Sequence, residues 1–226
     1  FQSFQHYLLD TLGVTPDAET LEQVERISKP PSLPDEQRKS EVRLPTSLTP
    51  FIGRYSELQE LSALLRHPAC RLVTILGHGG MGKTRLALEV ARGLGDDFTE
   101  GVYFISFSAY QPGNPLWPLL AEALRFQVRE KGDPEQQVID YLRAKHALLI
   151  FDSFETALEK ASWLAELLQH APLLTALVTS RACLETSDEQ VFTLGGMSYP
   201  KANEVEQAEQ FEAVQLFTSF IHRRQP

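Results

Sequence analysis

A glycine-rich loop between a strand-like run and a helix-like run is the feature that most constrains this chain. The loop, residues 77–84, reads GHGGMGKT and matches the pattern G-x-x-x-x-G-K-[ST]. The run before it, 71–76, is apolar and β-branched, and the run after it has apolar residues at helical spacing. Strand, loop and helix in this order form a cradle for phosphate, because successive backbone amides and the helix N-terminus face one anion. The alternative is a glycine-rich turn that only joins a strand to a helix.

The loop predicts a site for the phosphates of a nucleoside triphosphate. The candidate binding residues are Gly77, Gly79, Gly80, Met81, Gly82, Lys83, Thr84 and Arg85. The glycines allow the backbone to curl around an anion. We expect Lys83 to contact the β- and γ-phosphates as a catalytic residue, and the Thr84 hydroxyl to bind Mg²⁺.

Three more candidate residues follow apolar, strand-like runs. Asp152 ends the run 147–152, where a parallel strand would place its carboxylate near the Mg²⁺ held by Thr84; the alternative is a helix cap. Glu155 is the nearest acid that could orient an attacking water, or else a carboxylate at a helix N-terminus. Arg181 follows the run 173–179, at the edge where open α/β sheets bind ligands. It would contact the γ-phosphate, or lie solvated on the surface.

The order of the apolar runs predicts the fold class. The strand candidates are 71–76, 102–107, 147–152, 173–179 and 190–194. The helix candidates are 55–67, 83–94, 116–127, 135–144, 155–169 and 204–222. Near-continuous apolar strands that alternate with helices indicate an α/β protein with a parallel sheet covered on both faces.

Composition changes along the chain predict three segments. Residues 1–28 show two short amphipathic helical patterns, which we interpret as the end of a helical domain. Residues 29–49 are rich in proline, serine and charge, which is typical of an extended linker. Residues 50–226 form the predicted nucleotide-binding domain. The chain begins at Phe1 rather than Met and ends just after a helical pattern, so we expect a piece of a longer protein.

Charge and cysteine content argue against several kinds of partner. A net charge of −9 leaves no broad basic surface, so we expect no direct binding to nucleic acid. Two cysteines cannot form a four-ligand zinc site, and reduced thiols in the cytoplasm are predicted. No apolar run approaches the roughly 20 residues of a membrane span, so no membrane partner is predicted.

Four motifs in a fixed order resemble the STAND class, the signal-transduction ATPases with numerous domains. Within that class they are similar to the NB-ARC-like modules of large bacterial regulators, over about residues 48–222. The motifs are FIGRYSE at 51–57, GHGGMGKTRLALEVA at 77–91, LLIFDSFE at 148–155 and LVTSR at 177–181.

The resemblance assigns a role to each motif. It implies that the first one lies at the adenine and ribose, with nucleotide contacts from Phe51, Ile52, Gly53 and Arg54. It makes Lys83 and Thr84 the Walker A pair, Asp152 the Walker B aspartate and Arg181 the first sensor arginine.

The resemblance also implies a fold and a function. The fold is a three-layer αβα P-loop NTPase with a five-stranded sheet of order 5-1-4-3-2. The function is an ATP/ADP switch that uses Mg²⁺, contacts other domains of its protein and self-associates on activation. Many relatives have a second acid where this chain has Ser153, although Asp152 to Glu155 approaches the form D-N-x-E, so slow hydrolysis is expected.

The N-terminal segment adds a further resemblance, and other functions stay open. Residues 7–27 are similar to the last helices of a bacterial transcriptional activation domain, which implies an activator-type transcriptional regulator; an unrelated helical pair is the alternative. A P-loop enzyme with ordinary turnover, such as a kinase or a DNA-processing motor, is a second possible function. A nucleotide-binding module without hydrolysis is a third. Spacing alone does not distinguish adenine from guanine.

Overall fold

The computed structural model describes residues 42–46, 49–201 and 205–222. The helical segment predicted for residues 1–28 and most of the predicted linker lie outside the described residues, so these boundaries stay predictions. None of the helices in the described ranges is long and apolar enough to cross a membrane.

A six-stranded parallel sheet forms the centre of the described part of the protein, in the order β1-β3-β4-β5-β2-β6. The strands are β1 (Val42–Arg43), β2 (Leu72–Leu76), β3 (Val102–Ser106), β4 (Leu148–Asp152), β5 (Thr175–Ser180) and β6 (Glu189–Thr193). The five strands predicted from the sequence are β2 to β6, and they lie in the order that the resemblance implied. The predicted count of five was wrong by one. β1 has two residues and no apolar pattern, and it pairs with β3 at the edge of the sheet through its backbone.

Helices cover both faces of the sheet. They are α1 (Tyr55–Arg66), α2 (Lys83–Gly93), α3 (Trp117–Leu124), α4 (Pro134–Leu142), α5 (Ala161–His170) and α6 (Glu212–His222). Alternate residues of β4 enter two separate cores, because successive side chains of a strand point to opposite faces. Leu149 and Phe151 pack in the core that α3, α4 and α5 cover. Leu148 and Ile150 pack in the core that α1 and α2 cover.

Two predicted helices are interrupted. The predicted helix 155–169 is a 3-10 segment, Phe154–Lys160, followed by α5, with a kink at Ala157. Phe154 is fully buried, and its ring lies 5.1 Å from that of Phe107 in an edge-to-face arrangement. The Thr156 hydroxyl donates to the carbonyl of Phe107 at 3.0 Å. These tertiary contacts hold the first turns away from regular α geometry. The predicted helix 204–222 is likewise a 3-10 segment, Val205–Gln210, followed by α6.

Candidate functional site

The glycine-rich loop joins the carboxyl end of β2 to the N-terminus of α2, as its sequence predicted. Gly80 and Gly82 have φ angles of 79° and 90°, in the left-handed region that favours glycine. The Lys83 ammonium group folds back over the loop and donates to the carbonyls of Gly77 at 2.8 Å and His78 at 3.0 Å. Its positive charge therefore lies at the loop, beside the N-terminus of α2, where an anion is favoured.

The Asp152 carboxylate at the end of β4 meets the helix that follows the loop. The Thr84 hydroxyl donates to Asp152 Oδ1 at 2.5 Å. A second hydroxyl, that of Thr179 at the end of β5, donates to the same oxygen at 2.8 Å and accepts from the Ser153 amide at 3.0 Å. Asp152 is 8% exposed, so these bonds fix its direction at the edge of the sheet. The sequence patterns did not single out Thr179, and its position directly before Ser180 and Arg181 at a strand end was the available signal.

Thr84 and Asp152 fit a Mg²⁺ ion that nucleotide phosphates help to hold. No cluster of three or more His, Cys, Asp or Glu side chains in the described ranges could bind a metal by itself. Mg²⁺ is usually bound by one or two carboxylates together with substrate phosphates and water. One carboxylate and one hydroxyl beside a phosphate loop are consistent with that pattern. The assignment of both residues as metal ligands stays a prediction.

Glu155 and Arg181 lie close together and form an ion pair. Arg181 Nε lies 3.1 Å from Glu155 Oε1, and the two side chains are 65% and 21% exposed. The other carboxylate oxygen, Glu155 Oε2, is buried and has no hydrogen-bond partner among the described residues. Arg181 also lies against the loop, since a Cβ on Gly79 would be 3.2 Å from Arg181 Nη2. The structure thus brings the predicted water-orienting acid and the predicted sensor arginine together, next to the loop.

A cavity of about 320 Å³ lies beside the loop. Its lining consists of the segment before α1, the loop, the chain after β6 and α6: Phe51, Ile52, Arg54, Gly80, Met81, Gly82, Arg85, Gly196, Met197 and Leu216. Most of the side chains are apolar, which suits a flat aromatic ring. Gly196, Met197 and Leu216 were not predicted from the sequence, because only the fold brings them to the cavity.

Two predicted nucleotide-binding arginines direct their guanidinium groups at protein atoms. Arg54 is 4% exposed and donates to Glu57 Oε1 at 2.8 Å, to the Gly195 carbonyl at 2.9 Å and to the Met81 carbonyl at 3.3 Å. Arg85 donates to the carbonyl of Pro50 at 2.7 Å. Both side chains therefore tie the walls of the cavity together, and their contact with nucleotide stays a prediction.

The carboxylate that pairs with Arg54 has a shifted pKa. Burial opposes the ionisation of Glu57, but hydrogen bonds from the Ser56 hydroxyl, from its own backbone amide and from Arg54 outweigh it. With the charge of Arg54, they lower the pKa of Glu57 below its ordinary value. Glu57 is therefore charged at neutral pH and keeps Arg54 in place.

Two proteins of known sequence are similar to most of this chain. The uncharacterized protein Rv0894 of Mycobacterium tuberculosis is 29% identical over 152 residues, which are 67% of this chain and 38% of that protein. A protein of the same organism named as an HTH-type transcriptional regulator, Rv0890c, is 30% identical over 161 residues, or 69% of this chain and 16% of its own length. The chain thus spans well under half the length of either relative.

A solved structure and a family model complete the comparison. Cdc6p from Pyrobaculum aerophilum has a similar fold, with a TM-score of 0.54 and 18% identity over 74% of this chain and 52% of that one. The sequence model of the AAA ATPase domain matches residues 50–223. This range includes the glycine-rich loop, Asp152, Glu155 and the residues that line the cavity. This chain therefore belongs to the AAA ATPase domain family.

Proposed function

We propose that this chain is the ATP/ADP-binding switch domain of a larger signal-transduction ATPase that controls transcription, with slow Mg²⁺-dependent hydrolysis. The observation that carries this proposal is the ion pair between Glu155 and Arg181. In this pair Glu155, the acid proposed to orient water, is bound to Arg181, the arginine proposed to contact the γ-phosphate. Such a site suits a protein whose output is its nucleotide state rather than its turnover.

Nucleotide binding is the best supported part of the proposal, because membership of the AAA ATPase domain family implies it. The Lys83 ammonium group and the loop amides would hold the phosphates, and the cavity beside the loop would take the base. Thr84 and Asp152 would hold Mg²⁺, which, when bound, neutralises charge on the β- and γ-phosphates.

Slow hydrolysis is supported by the residues after β4. Ser153 follows Asp152 directly and cannot act as a base at neutral pH. Glu155 is the next acid, and in its ion pair one carboxylate oxygen is bound to Arg181 while the other is buried. Arg181 would have to move from Glu155 to the γ-phosphate before the acid could orient water. We infer that this movement is infrequent and limits turnover.

The regulatory context rests on the relatives and on the motifs. One relative is named as an HTH-type transcriptional regulator, and the matched segment is 16% of its length. The motifs resemble the STAND class and its NB-ARC-like modules, in which the nucleotide controls the other domains. We therefore propose cytoplasmic action through domains of the same protein, with self-association in the ATP state and no direct contact with DNA by this segment.

Two measurements on the purified protein test the proposal. Mass spectrometry of the nucleotide released on denaturation should find ADP, which would also identify the base. Steady-state hydrolysis should be well below the ~1–100 s⁻¹ typical of kinases. A rate within that range would indicate an ordinary enzyme and contradict the switch. Bound nucleotide with no hydrolysis at all would indicate a purely structural nucleotide-binding module.

A further inference from the structure

The first residue of α6 contacts the segment that lines the base cavity. Glu212 Oε1 accepts a hydrogen bond from the Arg54 backbone amide at 2.5 Å, across 158 residues of sequence. The same side chain packs on Gly53, where an added Cβ would lie 2.8 Å from the Glu212 carboxyl carbon. The nucleotide contact that the resemblance implies for Gly53 stays a prediction. The structure places the Glu212 side chain against Gly53.

The backbone at this contact is strained. Gly53 and Arg54 have φ angles of 70° and 59°, so two consecutive residues are left-handed. A residue with a Cβ is disfavoured in that region, so the conformation of Arg54 needs contacts that compensate. The Glu212 carboxylate supplies a charge-assisted hydrogen bond just before the N-terminus of α1, where negative charge is also favoured by the helix dipole.

Glu212 is itself held in position. Its backbone amide donates to the Ser198 hydroxyl at 3.3 Å, and the next amide, that of Ala213, donates to the Ser198 carbonyl at 3.0 Å. One turn after Glu212, Leu216 forms part of the cavity wall. The start of α6 thus lines the cavity with Leu216 and, through Glu212, holds another part of the lining, the segment 51–54.

We propose that Glu212 is a positioning residue that holds the segment 51–54 against the base and so sets how long the nucleotide stays bound. This inference rests on the proposed function, since it needs a nucleotide base in the cavity. We expect its main effect on the base, because Glu212 has no hydrogen bond to Lys83 among the described residues and is linked to the loop through Arg54, which donates to the Met81 carbonyl. The hydrogen bonds of Lys83 and the bond between Thr84 and Asp152 do not involve Glu212.

The test compares ADP with pyrophosphate, which has the phosphates and no base. We expect Glu212→Ala to release a fluorescent ADP analogue about tenfold faster than wild type, since a hydrogen bond to a charged group is lost. Glu212→Gln keeps an acceptor oxygen, so its rate of ADP release should lie between those of the wild type and Glu212→Ala. Pyrophosphate affinity, measured by calorimetry, should stay at the wild-type value in both variants.

A control and a further variant accompany these substitutions. Glu209→Gln removes the charge of an exposed acid three residues earlier and should release ADP at the wild-type rate. Gly53→Ala keeps Glu212 but forces its side chain away, and should speed ADP release as Glu212→Ala does. If Glu212→Ala does not fold, Glu212→Gln and Gly53→Ala still give a result.

Three results would contradict the role of Glu212, and they differ in what they say about the proposed function. Wild-type ADP release in Glu212→Ala and Gly53→Ala would overturn the inference and leave the proposed function intact. An equal loss of ADP and pyrophosphate binding would also overturn it, because the effect would then be on the whole site. Failure of the wild-type protein to bind ADP would overturn the proposed function and the inference with it.

Discussion

Replacement of Thr179 by valine tests whether one hydroxyl fixes the acidic end of β4. Thr179 is 1% exposed, and its hydroxyl donates to Asp152 Oδ1 and accepts from the Ser153 amide. Valine keeps the shape of threonine and removes both bonds. A hydrogen bond to a charged group contributes about 1.5–3 kcal/mol, and an amide left without its partner costs about 1 kcal/mol more. We therefore expect Thr179→Val to lower the free energy of unfolding by about 2–4 kcal/mol.

A matched control lies on the adjacent strand. Thr74 of β2 is 0% exposed, and its hydroxyl has no hydrogen-bond partner among the described residues. Thr74→Val removes a polar group that burial already penalises, so it should be neutral or stabilise by about 1 kcal/mol. The two variants should differ by about 2–5 kcal/mol, so at about 2–4 °C per kcal/mol the Tm of Thr179→Val should lie roughly 4–20 °C below that of Thr74→Val.

Urea and thermal unfolding followed by circular dichroism measure both variants against wild type. The two substitutions have the same chemistry, similar burial and neighbouring strands, so only the hydrogen bonds differ. Equal stability of the two variants would refute the reasoning, because the Thr179 hydroxyl would then contribute nothing. A Thr74→Val variant less stable than the wild type would show that the Thr74 hydroxyl stabilises the fold, and it would then not serve as a control.

Three other predictions concern the site. Lys83→Ala should weaken ATP and ADP binding by about tenfold or more, because a charge-assisted phosphate contact is lost, and calorimetry with Lys131→Ala as control measures this. Glu155→Gln should leave nucleotide affinity unchanged and slow phosphate release from ATP by about a hundredfold; unchanged turnover would exclude Glu155 as the water-orienting acid. Glu57 has a lowered pKa in the folded state, so it stabilises the protein above its unfolded pKa, and this contribution is lost as the pH falls through the folded pKa. The difference in unfolding free energy between wild type and Glu57→Gln should therefore shrink on acidification, and a difference independent of pH would contradict the shift.

The sequence predicted those parts of the site that depend on neighbouring residues. The glycine loop carries its own backbone conformation, and the apolar run before Asp152 reads as a buried strand wherever it lies in the sheet. The broken helix at Ala157 and the short strand β1 were not predicted, since each depends on contacts with distant residues and neither has a periodic apolar pattern. The hydrogen bonds of Arg54 to the Met81 and Gly195 carbonyls could not be predicted either, because the motif around Arg54 does not indicate the partners of its guanidinium group.

The sequence by itself determined that a phosphate loop joins a buried strand to a helix, because glycines, a lysine and a hydroxyl at fixed spacing encode local geometry. Tertiary structure alone decided which side chains reach that loop. Thr179 meets Asp152, and Glu212 meets Arg54, because the strand order and the return of the chain after β6 bring together residues far apart in sequence. Hydrogen bonds act over about 3 Å, so such pairs exist only once the whole sheet is assembled.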